Sequence, residues 1–203
     1  DCNYPADIHH EEDGTITLTI DAEEVPTRSV NLSFAKNVIA CTAIAHTLGL
    51  AWEEIRNKIE SFQPPKGRCE VKNNGEITII DDTYNANLES TIAAIDYLKA
   101  FSGNGNRIFV FGDMFELGDS SAEQHRNVGQ KCDEAELSAV FTVGTETVAT
   151  DLAIESTEIH RHFENKEDLL DSLKSIMNNG DKILVKGSRG MKMETIVEAI
   201  LKS

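Results

Sequence analysis

From residue 77 onward the chain alternates short apolar runs with amphipathic stretches, an order that few folds accept. The runs 77–80, 107–112, 138–143, 159–163 and 181–185 read as strands, rich in β-branched and aromatic residues. Between them, 88–101, 121–135, 146–153, 166–178 and 191–202 carry apolar residues at helical spacing, as in Ile92, Ile95 and Leu98. Strands alternating with helices over short connections build an α/β domain, its mainly parallel sheet covered on both faces. In such a sheet ligands bind outside the carboxyl ends of the strands, so polar residues placed there are site candidates.

The first third of the chain has another rhythm. Residues 14–20 alternate strictly and predict a half-buried strand, with Ser29 to Leu32 as its partner across a turn at Pro26. From Ala35 the period becomes helical through Val38, Ile39, Cys41, Ile44 and Ala45, and Gly49 stops it. A second helix is expected over 51–62, burying Ile55, Ile59 and Phe62. Gln63-Pro64-Pro65-Lys66-Gly67-Arg68 can continue neither a helix nor a central strand, so it marks a boundary between domains 1–66 and 67–203.

Four polar clusters fall at strand ends or at this boundary. Asp81-Asp82-Thr83-Tyr84-Asn85-Ala86-Asn87 follows the first strand of the second domain. Asp82, Tyr84 and Asn85 are candidates to face a ligand; the plainer reading is that the acids end the strand and Asn87 caps a helix. Gly112-Asp113-Met114-Phe115-Glu116 follows the next strand, where Gly112 permits a close backbone approach. Asp113 and Glu116 then face the same crevice, or are two solvated acids in a turn. His125 lies just beyond and reads either as a ligand-facing or as a packing histidine. Lys186-Gly187-Ser188-Arg189-Gly190 offers two cations, a hydroxyl and two glycines before the last helix, which together suit an anion. Lys66-Gly67-Arg68 is the fourth.

Charge and motif content narrow the chemistry. A formal net charge of −16 over 203 residues argues against nucleic-acid binding, which needs a basic face. No run is apolar and long enough to span a membrane as a helix. The four cysteines are scattered without metal-ligand spacing; Cys41 and Cys69 sit in apolar patterns and are expected to be core thiols, as suits a reducing cytoplasm. No G-x-x-x-x-G-K-[ST] occurs, so the chain has no P-loop, and no G-x-G-x-x-G follows the first strand of the second domain.

Five ordered stretches resemble the Mur ligase family of peptidoglycan synthesis. They are Asn37 to Ala45, Gly67-Arg68-Cys69-Glu70, Ile80 to Asn87, Phe111 to Gly118 with His125, and Val185 to Glu194. Asp-Asp-Thr-Tyr-Asn-Ala-Asn and Gly-Asp-Met-Phe-Glu-Leu-Gly resemble the branch that joins D-Ala-D-Ala to UDP-N-acetylmuramoyl-tripeptide. The resemblance implies a C-terminal domain of Rossmann-like topology, preceded by the tail of an ATPase domain, a hairpin plus two helices. It implies ATP and Mg2+ as cofactors, with Asn37 toward the adenine and Arg68 and Asp82 toward the ribose or phosphates. Tyr84, Asn85, Asn87, Asp113, Glu116, His125 and Ser188 would serve the substrate, and Lys186 and Arg189 would be catalytic cations. The missing P-loop and the start at Asp1 lead us to expect a piece whose sugar-binding and ATPase domains lie upstream. Leu88 stands where the family often has proline, and Ser33-Phe34 where it often has His-Asn. The alternatives are a folylpolyglutamate-synthase-like ligase, which the two signature stretches disfavour, and an α/β binding module without catalysis.

Overall fold

The computed structural model describes residues 4–11, 15–27, 29, 32–62, 65–101 and 103–202, in two compact units, Asp1–Gln63 and Pro64–Ser203. The first unit holds an antiparallel sheet, β1 (Ala6–His10), β2 (Ile16–Ile20) and β3 (Glu23–Pro26), with β2 in the middle. The alternation in β2 places Ile16, Leu18 and Ile20 on one face, fully buried against Val25, Ala35 and Val38. The partner strand is not the expected Ser29 to Leu32. Asp21 and Ala22 both adopt positive φ, 50° and 64°, as a two-residue hairpin connection of the mirror-image type requires, so the chain reverses before Pro26. Pro26 then closes an edge strand, where its missing N–H costs little, and Leu32 already opens a helix; residues 30 and 31 lie outside the described residues. Helix α1 (Leu32–Thr47) ends before Gly49, whose φ of 92° turns the chain away. Helix α2 (Trp52–Glu60) follows, with the Glu54 carboxylate accepting the Ala51 N–H at 3.1 Å.

The second unit is a six-stranded sheet. In chain order its elements are β4 (Glu70–Asn74), β5 (Ile77–Asp82), α3 (Leu88–Ala100), β6 (Arg107–Gly112), α4 (Ser121–Glu134), β7 (Ala139–Val143), α5 (Val148–Asp151), β8 (Ile159–Phe163), α6 (Lys166–Ile176), β9 (Lys182–Lys186) and α7 (Glu194–Leu201). The strand order is β4-β5-β9-β6-β7-β8, parallel throughout except for β4, which runs antiparallel to β5. The connection from β5 to β6 therefore leapfrogs β9, the kind of reversal beside which open α/β sheets bind ligands. Ile79, Ile108, Val110, Phe141, Ile183 and Val185 pack under α6 and α7. The alternate residues Ile80, Phe109, Phe111 and Leu184 are fully buried on the other face, where α3, α4 and α5 lie. This is the expected mainly parallel α/β sheet with helices on both faces.

Three departures bear on the site. Strand β4, Glu-Val-Lys-Asn-Asn, is too polar to read as a strand, and forms because an edge strand buries one side only. Strand β9 runs one residue further than expected, which places Lys186 within the sheet. Helix α7 begins at Glu194, after a 3₁₀ turn at Arg189–Met191 and a left-handed Lys192 (φ 51°), so the 186–190 loop does not cap it directly. Of the cysteines expected in the core, Cys41 is exposed on α1 and Cys69 is half-buried in a left-handed turn. Among the described residues Cys132 is the buried thiol, and burial pushes its pKa up.

Candidate functional site

The register brings Asp82, Lys186 and Phe111 level at the carboxyl ends of β5, β9 and β6. Strand alternation sends Asp82 and Lys186 to the same face as Ile80 and Leu184, toward α3, and Asp81 to the opposite face. There Asp81 accepts hydrogen bonds from Lys72 Nζ and, at 2.7 Å, from Thr83 Oγ1. The Asp82 carboxylate instead meets the Lys186 ammonium, whose side chain is only 2% exposed. Lys186 Nζ also donates to the Asn85 carbonyl at 3.0 Å, and Asp82 Oδ1 accepts the Cys69 N–H at 3.0 Å.

The Gly67–Cys69 turn is laid against this network. Gly67 has φ 71°, its carbonyl accepts the Tyr84 N–H at 2.9 Å, and a Cβ there would stand 3.1 Å from both Thr83 Oγ1 and Tyr84 N. Glycine is therefore favoured by conformation, and a side chain there would be tight against the Tyr84 turn. The turn carries Arg68 over the exposed Tyr84 ring, 4.2 Å from its centroid, and the Arg189 guanidinium stands 5.9 Å from the same centroid. Arg68 has no carboxylate partner among the described residues, and Arg189 has only Glu194 at 3.6 Å. Two cations thus flank one aromatic ring with little local charge to balance them.

Other candidates have structural employment. Asp113 is buried, and its carboxylate accepts three successive backbone N–H groups, from Thr145, Glu146 and Thr147 at 2.9, 3.0 and 2.9 Å. It holds the turn after β7 and does not open onto the crevice. His125 is fully buried on α4: Nε2 accepts the Met114 N–H at 3.1 Å, so the proton sits on Nδ1, which donates to the Ser121 carbonyl at 2.8 Å. Ser188 is buried too; its Oγ accepts the Phe115 N–H at 2.8 Å and its N–H donates to the Asp113 carbonyl at 2.9 Å. Asn87 caps α3, with Oδ1 accepting the Ser90 N–H at 2.8 Å. Glu116 is exposed in a left-handed conformation, φ 64°. Asn37 lies exposed on α1 of the first unit.

Two residues at the site lie within the stretches singled out from sequence but were given no role there. Met193 is fully buried against Gly112 and Gly187, where a Cβ would come within 2.8 Å of its Sδ and Cγ respectively. Phe115, 43% exposed, lies against Gly190, where a Cβ would be 2.6 Å from its ring. The paired glycines at neighbouring strand ends were the available signal for Met193.

Residues 67–189, more than half of the chain, match the family profile of the Mur ligase, glutamate ligase domain. The chain belongs to the Mur ligase family. This Mur ligase chain is 34% identical over 206 residues to the UDP-N-acetylmuramoyl-tripeptide–D-alanyl-D-alanine ligase of Haemophilus influenzae, covering 95% of the chain and 43% of that relative. A crystal structure of MurF from Acinetobacter baumannii superposes with a TM-score of 0.87 at 28% identity, over 99% of the chain and 45% of the other. MurF from Thermotoga maritima, crystallised with ADP, shares the fold at a TM-score of 0.82 and 24% identity, over 97% of the chain and 46% of the other. The chain spans less than half the length of each of these proteins.

Proposed function

We propose that this chain is the C-terminal part of an ATP-dependent amide ligase that joins D-Ala-D-Ala to UDP-N-acetylmuramoyl-tripeptide in cytoplasmic cell-wall synthesis. Family membership and a relative of that activity support the reaction class. The observation that carries the site is the convergence of Arg68 and Arg189 on the exposed ring of Tyr84, in a chain of net charge −16. Cations so placed, with an aromatic face between them, suit an anionic ligand that also has a flat or apolar part.

In the complete ligase ATP would transfer its γ-phosphoryl group to the tripeptide carboxylate, releasing ADP. The D-Ala-D-Ala amine would then attack the acyl phosphate, forming the amide and releasing phosphate and a proton. Arg68 is assigned to the nucleotide side, with Asp82 beside it. Arg189 is assigned to the dipeptide carboxylate or the transferring phosphoryl group, beside Tyr84 and Asn85. Such groups act by holding reactants in line and by meeting charge as it develops. Among the described residues no group of three or more His, Cys, Asp or Glu side chains is set to hold a metal ion.

The test is amide formation by the complete protein, followed as phosphate release with ATP, tripeptide nucleotide and D-Ala-D-Ala. Activity that requires all three supports the reading. Turnover with a folate substrate and none with D-Ala-D-Ala would transfer the chain to the folylpolyglutamate-synthase type, and no ATP-dependent turnover at all would leave a binding module.

A further inference from the structure

We propose that Lys186 is a positioning residue that acts on bound ligand only through Asp82 and Asn85. Strand β9 is flanked by β5 and β6, and the residues at its end fasten both neighbours. Toward β5, the Lys186 ammonium joins the Asp82 carboxylate to the Asn85 carbonyl. Toward β6, Ser188 takes the Phe115 N–H and gives its own to the Asp113 carbonyl. With Lys186 buried to 2% side-chain exposure, Arg189 is the one cation of this loop that meets solvent, at 66%.

The Lys186 bonds reach the ligand face in two steps. Asp82 Oδ1 accepts the Cys69 N–H, which anchors the turn that carries Arg68. Asn85 O lies in the turn that carries Tyr84, whose N–H bonds Gly67 O. Lys186 therefore ties together the two turns whose side chains form the Arg68–Tyr84 stack. A buried charge stripped of its partner is costly, so removing the ammonium loosens Asp82 first and the two turns with it.

Two readouts test this. In the 203-residue chain, Lys186→Met should speed amide hydrogen exchange at Cys69 and Tyr84 by about tenfold or more, while the amide of Thr147, held by Asp113, exchanges as before. Unchanged exchange at Cys69 and Tyr84 would overturn the proposal. The second readout rests on the ligase reading and uses the complete enzyme. If Lys186 works chiefly through Asp82, its one charged partner, with the Asn85 carbonyl the lesser link, its loss costs little once the carboxylate is gone. The Asp82→Asn/Lys186→Met variant should then keep kcat/KM for ATP within about threefold of Asp82→Asn alone, although Lys186→Met by itself loses tenfold or more. A double variant falling below Asp82→Asn by the full factor of the lysine substitution would place the ammonium on the reacting atoms and overturn the proposal. Should either single variant fail to fold, amide exchange in the double variant, which buries no lone charge, still decides: Cys69 and Tyr84 exchanging as in the wild type would overturn the proposal. Faster exchange in a complete protein without ligase activity would uphold the positioning and sink the ligase reading instead.

Discussion

Arg68 lies over the ring of Tyr84, its guanidinium carbon 4.2 Å from the ring centroid, although fifteen positions and a hairpin separate the two residues in sequence. The backbone enforces the pairing: Gly67 O takes the Tyr84 N–H, and Asp82 takes the N–H of Cys69. In the complete ligase, Tyr84→Phe should leave the KM for ATP unchanged, because the ring face survives. Tyr84→Ala should raise it about two- to fivefold, the worth of an exposed cation–π contact. Steady-state kinetics with ATP varied reads the difference, and an equal effect of both substitutions would show that the hydroxyl, not the face, matters.

Asp113 makes the opposite prediction. Its three backbone bonds and the Gly144 backbone at φ 130°, where a Cβ would sit 2.3 Å from the carboxylate, mark it as a structural clamp. Asp113→Ala strands three N–H groups, that of Thr147 buried, and should cost about 2–3 kcal/mol, roughly 5–10 °C of thermal midpoint. Asp113→Asn keeps one acceptor oxygen and should cost about half as much. Loss of ligase activity at an unchanged midpoint would instead make Asp113 a ligand residue.

These two residues show what was legible in the sequence and what was not. Parallel strands and their covering helices announce themselves through continuous apolar runs, so β5 to β9 were readable, and with them which polar residues stand at their carboxyl ends. In sequence Asp113 admits a crevice or a solvated reading and His125 a ligand-facing or a packing one, because polar groups beside a strand end look alike before their partners are known. Those partners are backbone amides, and for Asp113 they lie more than thirty positions away, where no periodicity signals them. Lys186 turned on a single residue: with β9 ending at 185 it belongs to a loop, with β9 ending at 186 it belongs to the sheet and pairs with Asp82. Strand β4 stayed hidden because an edge strand needs little apolar content.

Acid should act on Asp133. Burial raises its pKa, but N–H donation from Glu155, Thr157 and Ser156 outweighs this, so the carboxyl titrates below its usual range. A depressed folded-state pKa contributes stability that is fully present above the unfolded value, about 3.9, and is lost as pH falls through the folded one. Thermal midpoints of the wild-type chain should therefore fall below about pH 4 more steeply than those of Asp133→Asn, which lacks this titration. Parallel curves would remove Asp133 from the acid response.

The chain by itself should not hydrolyse ATP. It has no P-loop, and Arg68, Asp82 and Tyr84 supply only part of a nucleotide site. Calorimetric titration of the 203-residue chain should give a Kd for ATP of about a millimolar or weaker, near −4 kcal/mol. Tight binding or measurable turnover would mean that the phosphate site is built here.

Arg189 is the residue on which the ligase reading is most exposed. It follows β9 in a 3₁₀ turn, its side chain is 66% exposed, and its one ion-pair partner among the described residues, Glu194, stands 3.6 Å away. Such a contact contributes little to folding, about 1 kcal/mol at most. Its companions Lys186 and Ser188 are buried and bonded, so the guanidinium is the group of this loop left to meet a ligand. One donor aimed at developing charge is worth about 2.7–4 kcal/mol. Arg189→Ala in the complete enzyme should thus lower kcat/KM for D-Ala-D-Ala by ~10²-fold or more with a thermal midpoint near wild type. Arg189→Lys keeps the charge but not the planar fork, and should recover only part of the loss if the ligand oxygens are held two at a time. Full recovery by lysine would reduce the role to a point charge. Wild-type kinetics in Arg189→Ala would show a solvated side chain and move the anion site elsewhere.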